Sequence, residues 1–391
     1  MEMKKEIKKR RNLILVITEA CNLACGYCYE HSKSSRTMDF GTAKALLDHE
    51  FSDPSWDFYD VQLLGGEPLL AFELIKELDR YIFEELGRKD VRLFIVTNGT
   101  LMNEEKQAWF SAPERHGRII CGLSIDGVKA AQDRARSRSF DLIPIDFFAK
   151  TWPEQSCRIT IHSTNIEYLS ESVRFLHERG FSIQAAFAQC DEPWVTSDIL
   201  CIFKRELQKI VEFYLERPDL PLMDMLSVNF SALAAPVINK DQPHCGAGKE
   251  LASYGIDGSC YPCHTFSSVS IGERARDFIG KTIEDLNYRI SGRCRDCVLL
   301  ACCPTCMGIN VIARGDAALR DLSVCEMHKL RFLAASKLAY FREFSERCGE
   351  LSSEEFCRLA GIARVQSAFG AEIALPAGVA LSNAEKENFT A

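Results

Sequence analysis

Cysteine is the residue type whose number and spacing ask for an explanation first: the chain holds 18. A 391-residue chain buries enough apolar surface to fold without disulfide staples, so thiols clustered at short spacings read as metal ligands. One group is Cys21-Asn-Leu-Ala-Cys25-Gly-Tyr-Cys28. Three thiolates on one short loop can each take an iron of a [4Fe–4S] cubane, leaving the fourth iron open to a small molecule. A second group begins at Cys245, continues through Cys260 and Cys263, gathers at Cys294, Cys297, Cys302, Cys303 and Cys306, and ends at Cys325. CxxC pairs of this kind suit iron–sulfur clusters or structural zinc alike. Cys121, Cys157, Cys190, Cys201, Cys348 and Cys357 stand alone and read as buried small apolar residues.

These thiols need elements to position them. From Asn12 to about Phe230, apolar runs at Leu13–Thr18, Val61–Leu64, Leu93–Thr97, Ile119–Ser124, Arg158–His162 and Ile183–Phe187 predict strands. Between them Thr42–Phe51, Phe72–Leu86, Glu104–Phe110 and Ile166–Arg179 carry a helical period. Strand–helix alternation predicts parallel βαβ units, in an open sheet or a partial barrel; six repeats are too few to close an eight-stranded one. The first thiol group then falls on the loop after strand one, at the strand end where such folds place ligands. Near His244 the character changes: Gly, Cys and polar turns replace long apolar periods, and metal cross-links must stand in for missing burial. Met327–Arg347 returns to a helical period and is expected to pack back on the main domain; beyond Ser367 a loosely ordered tail is expected.

Composition narrows the function. The net charge of −8 gives no reason to expect nucleic acid as a partner. The basic start, Met1–Arg11, precedes an apolar run too short for an export signal, with Glu19 where a cleavage site would fall. No run of about 18 apolar residues offers a membrane span, so a cytoplasmic protein is expected.

The predicted strand ends carry further chemistry. Gly65-Gly66-Glu67-Pro68 follows strand two, its glycines letting backbone approach a ligand and Glu67 offering an acceptor for an ammonium. Thr97-Asn98-Gly99 ends strand three, and Ser124-Ile125-Asp126-Gly127 ends strand four, with Asp126 read as a turn and helix-cap residue. Arg134 and Arg136 are candidates for a carboxylate, although a solvated helix face explains either equally well. His162, at the end of strand five, reads more readily as a core histidine than as a proton donor.

CxxxCxxC with Tyr27 before its last cysteine, followed in order by the GGEP, TNG and SxDG strings, resembles the radical S-adenosylmethionine (SAM) superfamily. The later spacing, Cys245-x12-Gly258-x4-Cys263, then Cys294-x2-Cys297-x5-Cys303-x2-Cys306 and Cys325, resembles the SPASM extension, which carries twin auxiliary [4Fe–4S] clusters. The resemblance spans residues 12 to 335 and departs at one gap, where x2 replaces x3 and leaves Cys302 and Cys303 as alternatives. It implies a partial (β/α)6 TIM-type barrel with a small Cys-rich C-terminal domain. The boundaries expected are a basic tail at 1–11, a radical SAM core at 12–235, the SPASM domain at 240–335, and a helix with tail at 336–391.

The resemblance further implies that SAM chelates the open iron and is cleaved reductively to a 5′-deoxyadenosyl radical. Gly65, Gly66, Glu67, Asn98, Ser124, Arg134 and Arg136 would contact SAM. Three [4Fe–4S] clusters are implied. Cys21, Cys25 and Cys28 hold the first; Cys245, Cys263 and Cys306 the next, with Cys260 or a substrate group as its fourth ligand; Cys294, Cys297, Cys303 and Cys325 the last. Relatives of this kind mature ribosomally made peptides. Gly246-Ala-Gly248 and Tyr261-Pro-Cys263-His264 look similar to strings of maturases that form thioether or carbon–carbon cross-links. Sulfatase maturases, which make formylglycine from Cys or Ser, place an aspartate where His264 stands; they are the alternative, and a non-catalytic iron–sulfur or zinc module is a second. The partners implied are a peptide or protein substrate and an electron donor such as flavodoxin or ferredoxin. With strand one expected only a dozen residues in, no leader-binding domain is expected, so the core binds its peptide directly or a separate leader-binding protein delivers it.

Overall fold

The computed structural model describes residues 9–370 apart from 190–193, 238–239, 242–244, 283, 287, 291 and 348. The basic residues 1–8, Cys190, His244, Cys348 and the segment 371–391 lie outside the described residues; of the other lone cysteines, Cys121 and Cys157 are buried as expected, whereas Cys201 and Cys357 lie exposed on helices. Six parallel strands run in sequence order: β1 (Arg10–Thr18), β2 (Phe58–Gly65), β3 (Val91–Thr97), β4 (Ile119–Leu123), β5 (Cys157–Ile161) and β6 (Ile183–Phe187). β4 passes to β5 through a single parallel bridge, Ser124 to Arg158. Between the strands lie α1 (Phe40–Phe51), α2 (Phe72–Arg80), α3 (Glu104–Phe110), α4 (Lys129–Ala135), α5 (Ile145–Thr151) and α6 (Leu169–Glu178); α7 (Ser197–Glu216) follows β6. Sequential parallel strands with helical crossovers are the connectivity of a (β/α)6 partial barrel.

Local chemistry explains the elements. Leu13–Ile17 in β1 is buried throughout, as a strand covered on both faces must be. α2 buries Phe72, Leu74, Ile75 and Leu78 on one face and then opens into a wide turn over Tyr81–Glu85, so the helical period read to Leu86 covers two geometries. The C-terminal part enters this scaffold twice. β7 (Leu251–Tyr254) pairs in parallel with β1 and carries β8 (Cys260–Tyr261) as a hairpin on the sheet edge. After α8 (Ser268–Ile271) and α9 (Met307–Arg314), α10 (Cys325–Glu343) packs on α7, and α11 (Ser353–Phe369) packs on α10. Tyr261, Phe266, Tyr288, Leu300 and Met307 instead belong to a small apolar cluster of their own. Among the described residues no helix is long and apolar enough to cross a membrane.

Candidate functional site

β1 ends in Thr18 and Glu19, both fully buried. The Glu19 carboxylate accepts from Ser34 Oγ (2.6 Å), Arg36 Nε (3.1 Å) and Ser268 Oγ (2.6 Å), fixing the point at which the chain leaves the sheet. The loop that follows presents Cys21, Cys25 and Cys28, all half-buried. Among the described residues no group of three His, Cys, Asp or Glu side chains stands where it could hold one metal ion. A cubane asks for something else, one thiolate at each of three separate corners, and this donor set fits that demand. Burial raises the pKa of Cys21 and Cys25; Lys33 beside the first and Arg136 beside the second pull the other way.

Three strand-end turns brace the loop. The Gly66 N–H donates to Thr18 O (3.1 Å) and the Glu67 N–H to Ala20 O (2.8 Å). A Cβ on Gly66 would lie 2.3 Å from Ala20 O and 2.9 Å from Cys21 Cβ, so what this glycine lets approach is the thiol loop itself. Glu67 is 1% exposed and accepts from the Leu69 N–H (3.0 Å), Thr97 Oγ1 (2.7 Å) and the Asn98 N–H (2.8 Å). Burial raises its pKa while these donors lower it. Glu67 therefore ties the end of β2 to the end of β3. Asn98 Nδ2 donates to Asn22 Oδ1 (2.9 Å), clasping the loop directly beside Cys21.

The fourth turn holds a residue undervalued in the sequence. Asp126 is not a helix cap; it is 2% exposed and accepts from Tyr27 Oη (2.5 Å), the Thr160 N–H (3.1 Å) and Asn165 Nδ2 (2.9 Å), with Arg136 Nε 3.2 Å away. Burial opposes the Arg136 charge, but Asp126, then Tyr27 and Cys25, hold its pKa above the ordinary value. Its guanidinium lies 5.3 Å from the Tyr27 ring centroid. Ser137 and Arg138 both take left-handed φ (56° and 55°), which turns the chain so that Ser137 Oγ receives the Ala24 N–H (2.9 Å), while Ala135 O receives that of Gly26 (3.2 Å). Arg134, two residues earlier and on the opposite side of α4, is exposed and paired with Glu167, which corrects its expected place at the site. Ser124, 9% exposed, hydrogen-bonds through its N–H to Thr97 O (2.9 Å). The His162 ring stands between Tyr27 (5.9 Å) and Trp194 (5.2 Å), and burial lowers its pKa.

The later cysteines fall into two sets. Cys245, Cys263 and Cys306 lie within electrostatic reach of one another, and burial pushes Cys306 up to about 11. Cys303 feels Cys297 and Cys325 and is likewise pushed up by burial to about 11; Cys294 lines the same cavity, of roughly 460 Å3. Cys302 aims its thiol at Asn229 O (3.5 Å), which favours Cys303 as the member of this set. Cys260 is a correction: it packs against the main core, where Tyr254, Glu50 and Arg11 surround its thiol, because β8 turns it away from the Cys263 turn. The first set abuts the thiol loop. The Tyr29 ring stands 5.9 Å from that of His264, with Cys28 and Cys263 both within reach of its hydroxyl. Burial pushes His264 down to about 4, against the pull of Glu30. Nothing in the local sequence announces this contact.

Residues 15–129 match the radical SAM superfamily. An uncharacterized protein of Methanocaldococcus jannaschii is 30% identical over 168 residues, 42% of this chain and 58% of that protein, so the match spans less than two thirds of this relative. A cysteine-type anaerobic sulfatase-maturating enzyme of Clostridium perfringens is 25% identical over 284 residues, 64% of this chain and 73% of that enzyme. Among solved structures, anSMEcpe with bound AdoMet superposes with a TM-score of 0.63 at 18% identity over 90% of this chain and 98% of its own. SuiB of Streptococcus suis, bound to the precursor peptide SuiA, gives 0.52 at 18% over 81% and 76%. The thiol loop and the three strand-end turns that brace it all lie within the segment that matches the radical SAM superfamily.

Proposed function

We propose that the chain is a maturase that acts on a ribosomally made peptide, joining two of its side chains through a thioether or carbon–carbon bond, with a SPASM-type C-terminal domain. The observation that carries the reading is the contact at Tyr29 and His264, which sets the Cys245, Cys263 and Cys306 group directly against the thiol loop. Cys21, Cys25 and Cys28 would hold one [4Fe–4S] cluster, and the two later sets, completed by Cys294 and Cys325, would hold two more. When bound, the first cluster and SAM supply one-electron cleavage and hydrogen-atom abstraction. The chain's own side chains do the rest. Gly66 and Asn98 hold the loop in register, and the backbone at Gly65–Gly66 offers acceptors to the SAM ammonium. Ser124, at the end of β4, and Arg136, at the C-terminal end of α4, would face its carboxylate. His264, neutral at pH 7 with its pKa near 4, lines the joint between the two thiol groups.

A second reading, formylglycine formation, draws on the 25% identity to the sulfatase-maturating enzyme. The assay separates them. Anaerobically reconstituted protein given SAM and dithionite is expected to form 5′-deoxyadenosine, and a Cys28→Ala variant none. With a candidate peptide, loss of two hydrogens and linked fragments in tandem mass spectra would support the cross-link. An aldehyde trapped by a hydrazide would replace it with formylglycine. Iron counting at about twelve per chain supports three clusters.

A further inference from the structure

The two C-terminal thiol sets sit in opposite electrostatic surroundings. The charged groups that reach Cys245 and Cys306 are other thiols; Cys263 is met by those two thiols, by Tyr29 and by the Thr265 hydrogen-bond donors. Cys303 faces Arg320 and Arg331; Cys325 faces Arg293 and Lys329, the latter paired with Glu326, which also reaches the thiol. Arg331 is 6% exposed and has no carboxylate ion pair among the described residues. Its guanidinium donates to Met225 O (2.7 Å), His328 Nδ1 (3.1 Å) and Cys302 O (3.5 Å), all uncharged groups. Asp224 is within electrostatic reach, but its carboxylate takes the Ala185 N–H (2.7 Å) instead. Arg320 donates to Cys303 O (3.1 Å) and Tyr288 Oη (3.4 Å), and its Nε is buried without a partner. Both arginines line the cavity that Cys294, Cys297, Cys303 and Cys325 also line, with Cys306 of the other set at its wall. A buried guanidinium without counter-charge costs several kcal/mol, so this cavity is built for an anion. A cubane held by four thiolates is one, and it is more negative still after gaining an electron.

We propose that Arg331 and Arg320 compensate the charge of the cluster held by Cys294, Cys297, Cys303 and Cys325, and make it the easier of the two C-terminal clusters to reduce. This rests on the reading of that region as a two-cluster domain. The test is a potentiometric titration of the anaerobically reconstituted full chain followed by electron paramagnetic resonance. The signal missing from a Cys325→Ala variant marks the cluster. It is expected to develop at a higher potential than the other C-terminal signal. In Arg331→Met the ratio of reduced to oxidised cluster at the original midpoint should fall at least tenfold, equivalent to about 59 mV for one electron. The other two signals should stay within about twofold of their original ratio. Arg331→Lys, which keeps the charge, should recover most of the loss, and Arg320→Gln should move the same signal by less. The proposal is overturned if the marked signal develops at the lower potential. It is also overturned if it stays put in Arg331→Met with iron retained or, should that variant lose iron, in Arg320→Gln. Iron counting on the unmodified chain separates the two failures: fewer than three clusters sinks the two-cluster reading, whereas three clusters with unmoved potentials sinks only this proposal.

Discussion

The two thiol regions reach the same end by different physics. The Cys21–Cys28 loop has little structure of its own, yet every flank is tied to a strand end: Glu67 to Asn98, Asn98 to Asn22, Tyr27 to Asp126. Its geometry comes from a scaffold whose apolar core extends from β1 to α11. Among the described residues the segment from Cys260 to Cys325 has a two-residue strand, a four-residue and an eight-residue α-helix, short 3-10 turns and a small apolar cluster of its own, with Val269 and Leu299 reaching the main core. On the proposed reading, bound metal supplies the cross-links that this segment's small cluster does not. A site can be made ready by protein packing before its metal arrives, or the metal can make the site.

The sharpest way to break that contrast is to remove the metal. Stripping iron and sulfide from the loaded full chain should expose 260–325 to protease within minutes while β1–β6 stays protected. A 260–325 segment equally resistant in both forms would show that protein packing suffices there. Next in size is Asp126→Asn, which leaves the buried Arg136 charge unpaired. Breaking a buried pair costs about 3–5 kcal/mol, and the loss should appear in the denaturant midpoint of the scaffold, not in the protease pattern of 260–325. The double variant with Arg136→Met should regain part of it, as a double-mutant cycle would register.

Gly66→Ala is a finer probe. Its Cβ would stand 2.3 Å from Ala20 O, and the overpacking should cost about 1–3 kcal/mol. The variant should also lose iron from the first site selectively, because the displaced backbone carries Cys21. Full iron content with an unchanged midpoint would mean that the loop is not held by this contact.

Much of this was legible from residue order. The six strands fall where apolar runs predict them, and β1, buried from Leu13 to Thr18, is continuously apolar through Ile17, as a strand covered on both faces must be. α7 is legible in the same way, through Thr196 at its cap and buried Phe203, Leu207, Ile210 and Tyr214, although the strand–helix count does not require it. The grouping of Cys245 with Cys263 and Cys306 follows the spacing implied by resemblance. What residue order hides is direction. Arg134 and Arg136 look equivalent until the helix turns one outward; Cys260 and Cys263 look like neighbours until β8 faces them apart. Asp126 reads as a cap because its partners Tyr27, Arg136 and Asn165 come from three distant segments.

The smallest effect tests whether the scaffold's stability is independent of metal altogether. His177, in the last turn of α6, sets its Nε2 2.8 Å from Tyr214 Oη on α7, and that hydroxyl already accepts the Met223 N–H (2.9 Å). The hydroxyl is thus set to donate to a neutral imidazole. Burial lowers the His177 pKa below its ordinary 6.5, with the Phe181 backbone acting against it and Arg217 in the same direction. In the unfolded chain the imidazole therefore takes up a proton first as pH falls. Its contribution to stability is complete above about pH 6.5 and declines toward the lowered folded pKa, at less than about 1.4 kcal/mol per pH unit, the limit for one proton. Buried carboxyls such as Glu67, whose pKa is raised, slope the opposite way, so the difference between the unmodified chain and His177→Gln isolates this group. That difference should be the same with and without iron, because α6 and α7 belong to the packed scaffold. A pH slope that appears only in the loaded protein would mean that the metal holds these helices too, and the distinction between the two regions would fail.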